Sequence, residues 1–128
     1  MQPEELVARA ASAQEYAHAP YSNYPVGAAL LARSGRVFLG ANVENASYSL
    51  TMCAERVAVF KAVSEGETEF EGLAVVTSNG GSPCGACRQV LREFAPHLPV
   101  YISDGDGNYR QTSIDELLPD SFGPEFLD

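Results

Sequence analysis

Gly72-Leu73-Ala74-Val75-Val76-Thr77-Ser78-Asn79-Gly80-Gly81-Ser82-Pro83-Cys84-Gly85-Ala86-Cys87-Arg88-Gln89-Val90-Leu91 runs from an apolar segment through a loop into a second apolar segment of different period. Gly72 to Thr77, with Leu73, Val75 and Val76, predicts a buried strand, and Asn79-Gly80-Gly81-Ser82 has loop chemistry. Cys84 to Ala95 predicts a core-packed helix. A strand followed by a short loop and a helix is the building unit of a sheet covered by helices.

Upstream, Pro3 to about Tyr16 places Leu6, Ala10 and Ala13 at helical spacing, and Pro20 prevents any continuation. Val26 to Ala32 and Val37 to Glu44 read as two strands of a hairpin around the turn Arg33-Ser34-Gly35. Thr51 is the expected cap of a helix from Met52 to about Ser64, in which Val57, Val59, Phe60 and Val63 leave almost no polar face, so burial is expected. Downstream, Val100 to Ser103 and Tyr109 to Thr112 are strands on either side of the turn Asp104-Gly105-Asp106-Gly107, and Ser113 with Glu116 forms a capping box for a closing helix. Five strands interleaved with helices predict an α/β sandwich, and no repeat or linker divides residues 1–128 into more than one domain.

Composition narrows the function. Lys and Arg total 8 against 17 Asp and Glu, for a net charge of -9, and no basic stripe is available to neutralise a phosphate backbone. A nucleic-acid polymer is therefore not the expected partner. No apolar segment approaches the roughly 20 residues that span a bilayer, and Met1-Gln2-Pro3-Glu4-Glu5 lacks the basic start of a secretory leader, so a cytoplasmic protein without a membrane partner is expected. The cysteines number three, Cys53, Cys84 and Cys87, which argues against a simple disulfide framework.

All three fall in one candidate constellation. Cys53-Ala54-Glu55 opens one apolar helix and Pro83-Cys84-Gly85-Ala86-Cys87 opens another. The spacing of Cys84 and Cys87 puts both sulfurs on one face of a first helical turn, which suits half a zinc site and also a redox dithiol. Adding Cys53 gives three ligands for a tetrahedral ion and leaves the fourth position open for water, as catalytic zinc requires. Glu55 is then placed to move protons at that open corner. Three thiolates make the centre net negative. Two helix N-termini and Arg56, one helical turn beyond Cys53, are the expected compensation.

Asn42-Val43-Glu44-Asn45-Ala46-Ser47-Tyr48, Cys53-Ala54-Glu55-Arg56 and Pro83-Cys84-Gly85-Ala86-Cys87-Arg88-Gln89-Val90-Leu91 together resemble the cytidine deaminase family. The resemblance extends to Pro20-Tyr21-Ser22-Asn23-Tyr24-Pro25-Val26-Gly27-Ala28, to Leu117-Leu118-Pro119 and to Phe122. It implies a three-layer α/β/α sandwich with a mixed five-stranded sheet. It also implies one zinc ion per subunit on Cys53, Cys84 and Cys87, with Glu55 as the proton shuttle while zinc-bound hydroxide attacks C4 of a cytosine nucleoside. The products would be a uracil nucleoside and ammonia, which points to pyrimidine salvage or clearance. By the same resemblance, Asn42 and Glu44, alternating on a predicted strand, read the ribose hydroxyls, Tyr24 packs on the pyrimidine, and Ala54 contacts substrate. Tyr48 and Phe122 are implied as substrate-binding, Phe122 as the C-terminal aromatic that closes the pocket, with Ala46 to Tyr48 and the C-terminal segment reaching neighbouring sites in a homotetramer. Two positions depart from the usual pattern: Tyr24 stands where phenylalanine is more common, and Ser49 where many relatives have glycine, which tolerates positive φ.

Other readings stay open on the residues alone. A different aminopyrimidine as substrate would use the same zinc machinery. A closed structural zinc site would need His18 or His97 as fourth ligand, and neither has useful spacing.

Overall fold

Side-chain alternation along two neighbouring strands sets the layers. In β1 (Gly27–Ala32), Ala28, Leu30 and Ala32 face one core while Ala29 faces the other, and in β3 (Phe70–Val76) Leu73 and Val75 part from Ala74 and Val76 in the same way. Strands buried on both faces read as near-continuous apolar runs, which is why these two stand out in the sequence. The computed structural model describes residues 1–127. It contains a five-stranded sheet in the order β2-β1-β3-β4-β5, where β2 is Val37–Ala41, β4 is Pro99–Ser103 and β5 is Arg110–Ser113. Only β3 and β4 pair in parallel, so the sheet is mixed.

Helix α1 (Pro3–Gln14) covers one face with Leu6, Val7 and Ala10. The opposite face carries α2 (Ala54–Ser64), α3 (Gly85–Phe94) and the single turn α4 (Ile114–Leu117), whose Ala58, Val59, Leu91 and Ile114 enter the larger core. The expected three-layer α/β/α sandwich is the observed one. Among the described residues, no helix is long and apolar enough to cross a membrane.

Four local expectations are corrected. Helix α2 starts later than expected and is capped by Cys53, not Thr51, because the Thr51 hydroxyl accepts the Asn45 amide N–H at 3.1 Å instead. Its buried stripe is Ala54, Ala58, Ala62 and Val59, and Phe60 stays 45% exposed. Strand β2 ends at Ala41, so Asn42 and Glu44 lie beyond the ladder, where only Val43 makes bridges, to His18 and to Met52. In the capping box, Ser113 Oγ accepts the Glu116 N–H as expected, but the Glu116 carboxylate accepts from Thr112 Oγ1.

The alanine stripe lets α2 lie directly on the sheet. A Cβ added at Gly40 would overlap the Ala54 carbonyl oxygen and meet the Ala58 amide at 2.8 Å. Gly40 thus fixes the height of the first turn of α2 above β2. Gly40→Ala is expected to cost about 1–3 kcal/mol of stability through this overpacking. Urea unfolding measures it, and an unchanged midpoint would contradict the close contact.

Candidate functional site

Gly27 at the start of β1 lies opposite both Ala41 at the end of β2 and Val76 at the end of β3. One edge of the sheet therefore gathers three connections: the residues before β1, those after β2 and those after β3. The N-termini of α2 and α3 arrive at the same edge. Between them lies a cleft of about 390 Å³, lined by Tyr24, Asn42, Glu44, Ala54, Glu55, Thr77 and two of the cysteines, among others. That volume falls within the usual range for small-molecule pockets, about 300–1,000 Å³.

The three sulfurs converge at the base of this cleft. Cys53 Sγ is 3.8 Å from Cys84 Sγ, Cys84 Sγ is 3.5 Å from Cys87 Sγ, and all three lie within 4.8 Å of one another. Zinc–sulfur bonds of about 2.3 Å at tetrahedral angles separate sulfurs by about 3.8 Å, so the cluster fits the ion without rearrangement. Among the described residues, no His, Asp or Glu completes a fourth ligand. His97 is instead paired with Asp115 at 3.3 Å on the surface. A closed structural site is therefore not formed, and a redox dithiol would leave unexplained the third sulfur beside Cys84.

Helix geometry explains the convergence. Cys53 and Cys84 are the N-cap residues of α2 and α3, with extended backbones and no side-chain capping bond. Their sulfurs thus occupy the place where a capping oxygen would face the free N–H groups and the positive end of the helix. Arg56 Nη2 donates to Cys53 Sγ at 3.2 Å. Among the protein groups alone, a hydrogen bond from Cys87, helped by Arg56, lowers the Cys53 thiol to about 5 against the cost of burial. Cys87 is pushed up by the same sharing and by its burial, so it keeps the proton while Cys53 carries the charge. A bound cation would replace that proton.

Glu55, one residue into the first turn of α2, is only 5% exposed. Burial raises its carboxyl to about 7, its own amide pulling the other way and the Cys53 charge adding to the rise. A carboxyl with that affinity, in the wall of a cleft beside a cation-binding cluster, can take and return protons at neutral pH.

Asn42 is 7% exposed and spends its amide on the segment before β1, with Oδ1 accepting the Val26 N–H at 2.9 Å and Nδ2 donating to the Tyr24 carbonyl at 3.0 Å. Glu44 Oε1 accepts the Tyr21 and Ser22 amides at 2.9 and 3.1 Å, and Oε2 accepts the Ser22 hydroxyl. These bonds hold its carboxyl below the usual range, the Ser22 hydroxyl contributing most. Both side chains reach the cleft, as Tyr24 and Ala54 do. Tyr48 and Phe122 do not: Tyr48 is 73% exposed against Tyr21, and Phe122 is 56% exposed and stacked on Phe126. Ser49 lies in a 3-10 turn, Tyr48–Leu50, and is not among the residues with positive φ, so glycine is not needed there.

Sequence reasoning missed Thr77, Gly81 and Ser82 in the cleft wall, and Arg88, which steadies the loop before Cys84. Arg88 donates to the Pro83 carbonyl at 2.7 Å, to Ser82 Oγ at 2.8 Å and to the Leu117 carbonyl at 2.7 Å. The available signal was an arginine one helical turn after a cysteine that opens a helix.

Residues 1–103 match the family model described as the cytidine and deoxycytidylate deaminase zinc-binding region. The chain is 50% identical to a cytidine deaminase of Sporosarcina psychrophila over 99% of its length and 96% of that protein. It is 49% identical to one of Halalkalibacterium halodurans, over 94% of its length and 93% of that protein. Its structure superposes on the crystal structure of a cytidine deaminase from Burkholderia pseudomallei with a TM-score of 0.92 at 49% identity, covering 95% of this chain and all of that one.

The Glu55 environment has a measurable consequence in metal-free protein. Between about pH 4.5 and 7 the folded state holds a proton on Glu55 that the unfolded state has lost, so this carboxyl makes stability fall as pH rises through that window. Cys53 acts oppositely between about pH 5 and 9. The difference between wild type and Glu55→Gln isolates the carboxyl. Urea titrations in chelator are expected to show the variant gaining on wild type by about 1–3 kcal/mol from pH 4.5 to 7.5. A pH-independent difference would contradict the buried, raised carboxyl.

Proposed function

The chain belongs to the cytidine deaminase family, and from that premise we propose that it hydrolyses the exocyclic amine of free cytidine and deoxycytidine, giving uridine or deoxyuridine and ammonia. The observation that carries this reading is the cluster of three sulfurs at a nucleoside-sized cleft whose wall also contains buried Glu55. Cys53, Cys84 and Cys87 hold one zinc ion. Zinc bound there supplies the Lewis acidity that makes water a nucleophile at neutral pH. Arg56 offsets the negative charge of the sulfurs and so preserves that acidity.

Glu55 accepts a proton from water, passes it to N3 of the pyrimidine and returns a second to the departing amine. Its burial supports this role, because a carboxyl shielded from bulk solvent exchanges protons with the substrate and not with the medium. Tyr24 packs against the pyrimidine and Ala54 forms part of the floor beneath it. Asn42 and Glu44 bind the ribose hydroxyls. Their existing bonds to the segment before β1 mean that sugar recognition and loop position are set by the same two side chains.

The active form is a homotetramer in which Tyr48 and Phe122 complete sites on neighbouring copies. Exposed Tyr21, Tyr48 and Leu50 on one side, and Phe122, Phe126 and Leu127 on another, supply the apolar surface that such contacts would bury. A reduced thiol cluster suits the cytoplasm, and a free-nucleoside substrate suits pyrimidine salvage.

One assay tests the reading. Ammonia release is followed with cytidine, deoxycytidine and cytosine, alongside zinc analysis, for wild type and Glu55→Gln. Wild type is expected to hold one zinc per chain and to turn over both nucleosides far faster than the free base. Glu55→Gln is expected to keep its zinc while losing activity by about 10²–10⁴-fold. A fully active Glu55→Gln enzyme, or preference for cytosine, would overturn the assignment.

A further inference from the structure

Tyr24 carries a hydroxyl where the family pattern more often has phenylalanine, and that hydroxyl is not idle. It donates to Asn79 Oδ1 at 2.6 Å, joining the segment before β1 to the loop after β3. The same Asn79 oxygen accepts from Thr77 Oγ1 at 3.4 Å, and Thr77 Oγ1 accepts the Gly81 amide N–H at 2.9 Å. The result is a directed chain from Gly81 through Thr77 to Asn79, with Tyr24 donating to its end. Every donor in it meets a free lone pair. Thr77 is buried and faces the cleft, whereas Asn79 lies on the surface.

Gly81 makes room for this contact. A Cβ built there would sit 2.7 Å from the Tyr24 hydroxyl oxygen, closer than real Cβ contacts come. The next atoms, Asn79 Oδ1 at 3.6 Å and Tyr24 Cζ at 3.9 Å, are at ordinary contact distance, and Gly81 is not among the positive-φ residues. The tyrosine oxygen is thus the one atom that a side chain at position 81 would displace. On its other side, the Tyr24 segment is tied to Asn42 and Glu44 through the Tyr24 carbonyl and Ser22.

We infer that the Tyr24 hydroxyl, Asn79 and Gly81 form a latch that fixes the aromatic wall of the cleft before substrate arrives, making Tyr24 a positioning and affinity-determining residue through its hydroxyl as well as its ring. The inference rests on the proposed reading of Tyr24 as the ring that packs on the pyrimidine. A latched ring needs no ordering when substrate binds, so the hydroxyl acts on binding and not on the chemical step. With phenylalanine at this position, the two loops lose their direct side-chain tie.

Wild type, Tyr24→Phe, Gly81→Ala and the double variant form a cycle that tests this. With cytidine, Tyr24→Phe is expected to raise KM roughly two- to tenfold, the range of one hydrogen bond, with kcat within about twofold of wild type. Gly81→Ala is expected to raise KM similarly in the wild-type background, because its methyl displaces the hydroxyl, and to add nothing in the Tyr24→Phe background. Amide hydrogen exchange without substrate supplies a second readout: Tyr24→Phe should accelerate exchange in residues 20–25 and 77–82 together. An unchanged KM in Tyr24→Phe, or an equal effect of Gly81→Ala in both backgrounds, would overturn the latch. If wild type shows no cytidine turnover, the function reading fails and the exchange result alone judges the latch, with unaltered exchange in either loop refuting it.

Discussion

Three sulfurs held within 4.8 Å of one another repel as anions, and the rest of the molecule is arranged around making that cluster tolerable. Two of them sit at helix N-caps, where the peptide dipoles favour negative charge, and Arg56 adds a formal positive charge on Cys53. Those helix ends meet where α2 lies close on β2 over Gly40 and where an eight-residue loop joins β3 to α3.

The same convergence creates the cleft. Connections before β1, after β2 and after β3 emerge at one sheet edge, and their polar groups satisfy each other across it: Asn42 with the backbone at Tyr24 and Val26, Glu44 with Tyr21 and Ser22, and Tyr24 with Asn79. Glu55 is the exception. It is buried at the cluster with its charge opposed by Cys53, an arrangement that costs stability in the metal-free chain and suits a group that must bind and release protons. Stability and chemistry are in tension at that one carboxyl.

Much of this was legible in the sequence. Apolar alternation and turn chemistry located the hairpin and the strand-loop-helix unit, because strands buried on both faces and glycine-rich loops leave strong local signals. The spacing of Cys84 and Cys87, with Cys53 beside Glu55, located the metal cluster. The start of α2 was not legible from capping rules, which rank Thr51 above Cys53; the decision lay with a tertiary bond that used the Thr51 hydroxyl for Asn45. The burial of α2 was legible, and Val59 is fully buried, but its apolar residues run nearly all round the helix and so did not single out the face that close helix-sheet contact selects, Ala54, Ala58 and Ala62. Thr77, Asn79 and Gly81 left no local pattern, since their partner Tyr24 lies more than fifty positions away. Tyr48 and Phe122 lie outside the cleft, each exposed and paired with one other aromatic, Tyr21 and Phe126.

The central claim is that two helix tips grip one ion by three sulfurs and leave its fourth corner to a light ligand beside Glu55. X-ray absorption at the zinc edge on purified protein reads that coordination directly. The account predicts three sulfur scatterers at about 2.3 Å and one oxygen at about 2.0 Å. Four heavy protein ligands, or fewer than three sulfurs, would contradict it.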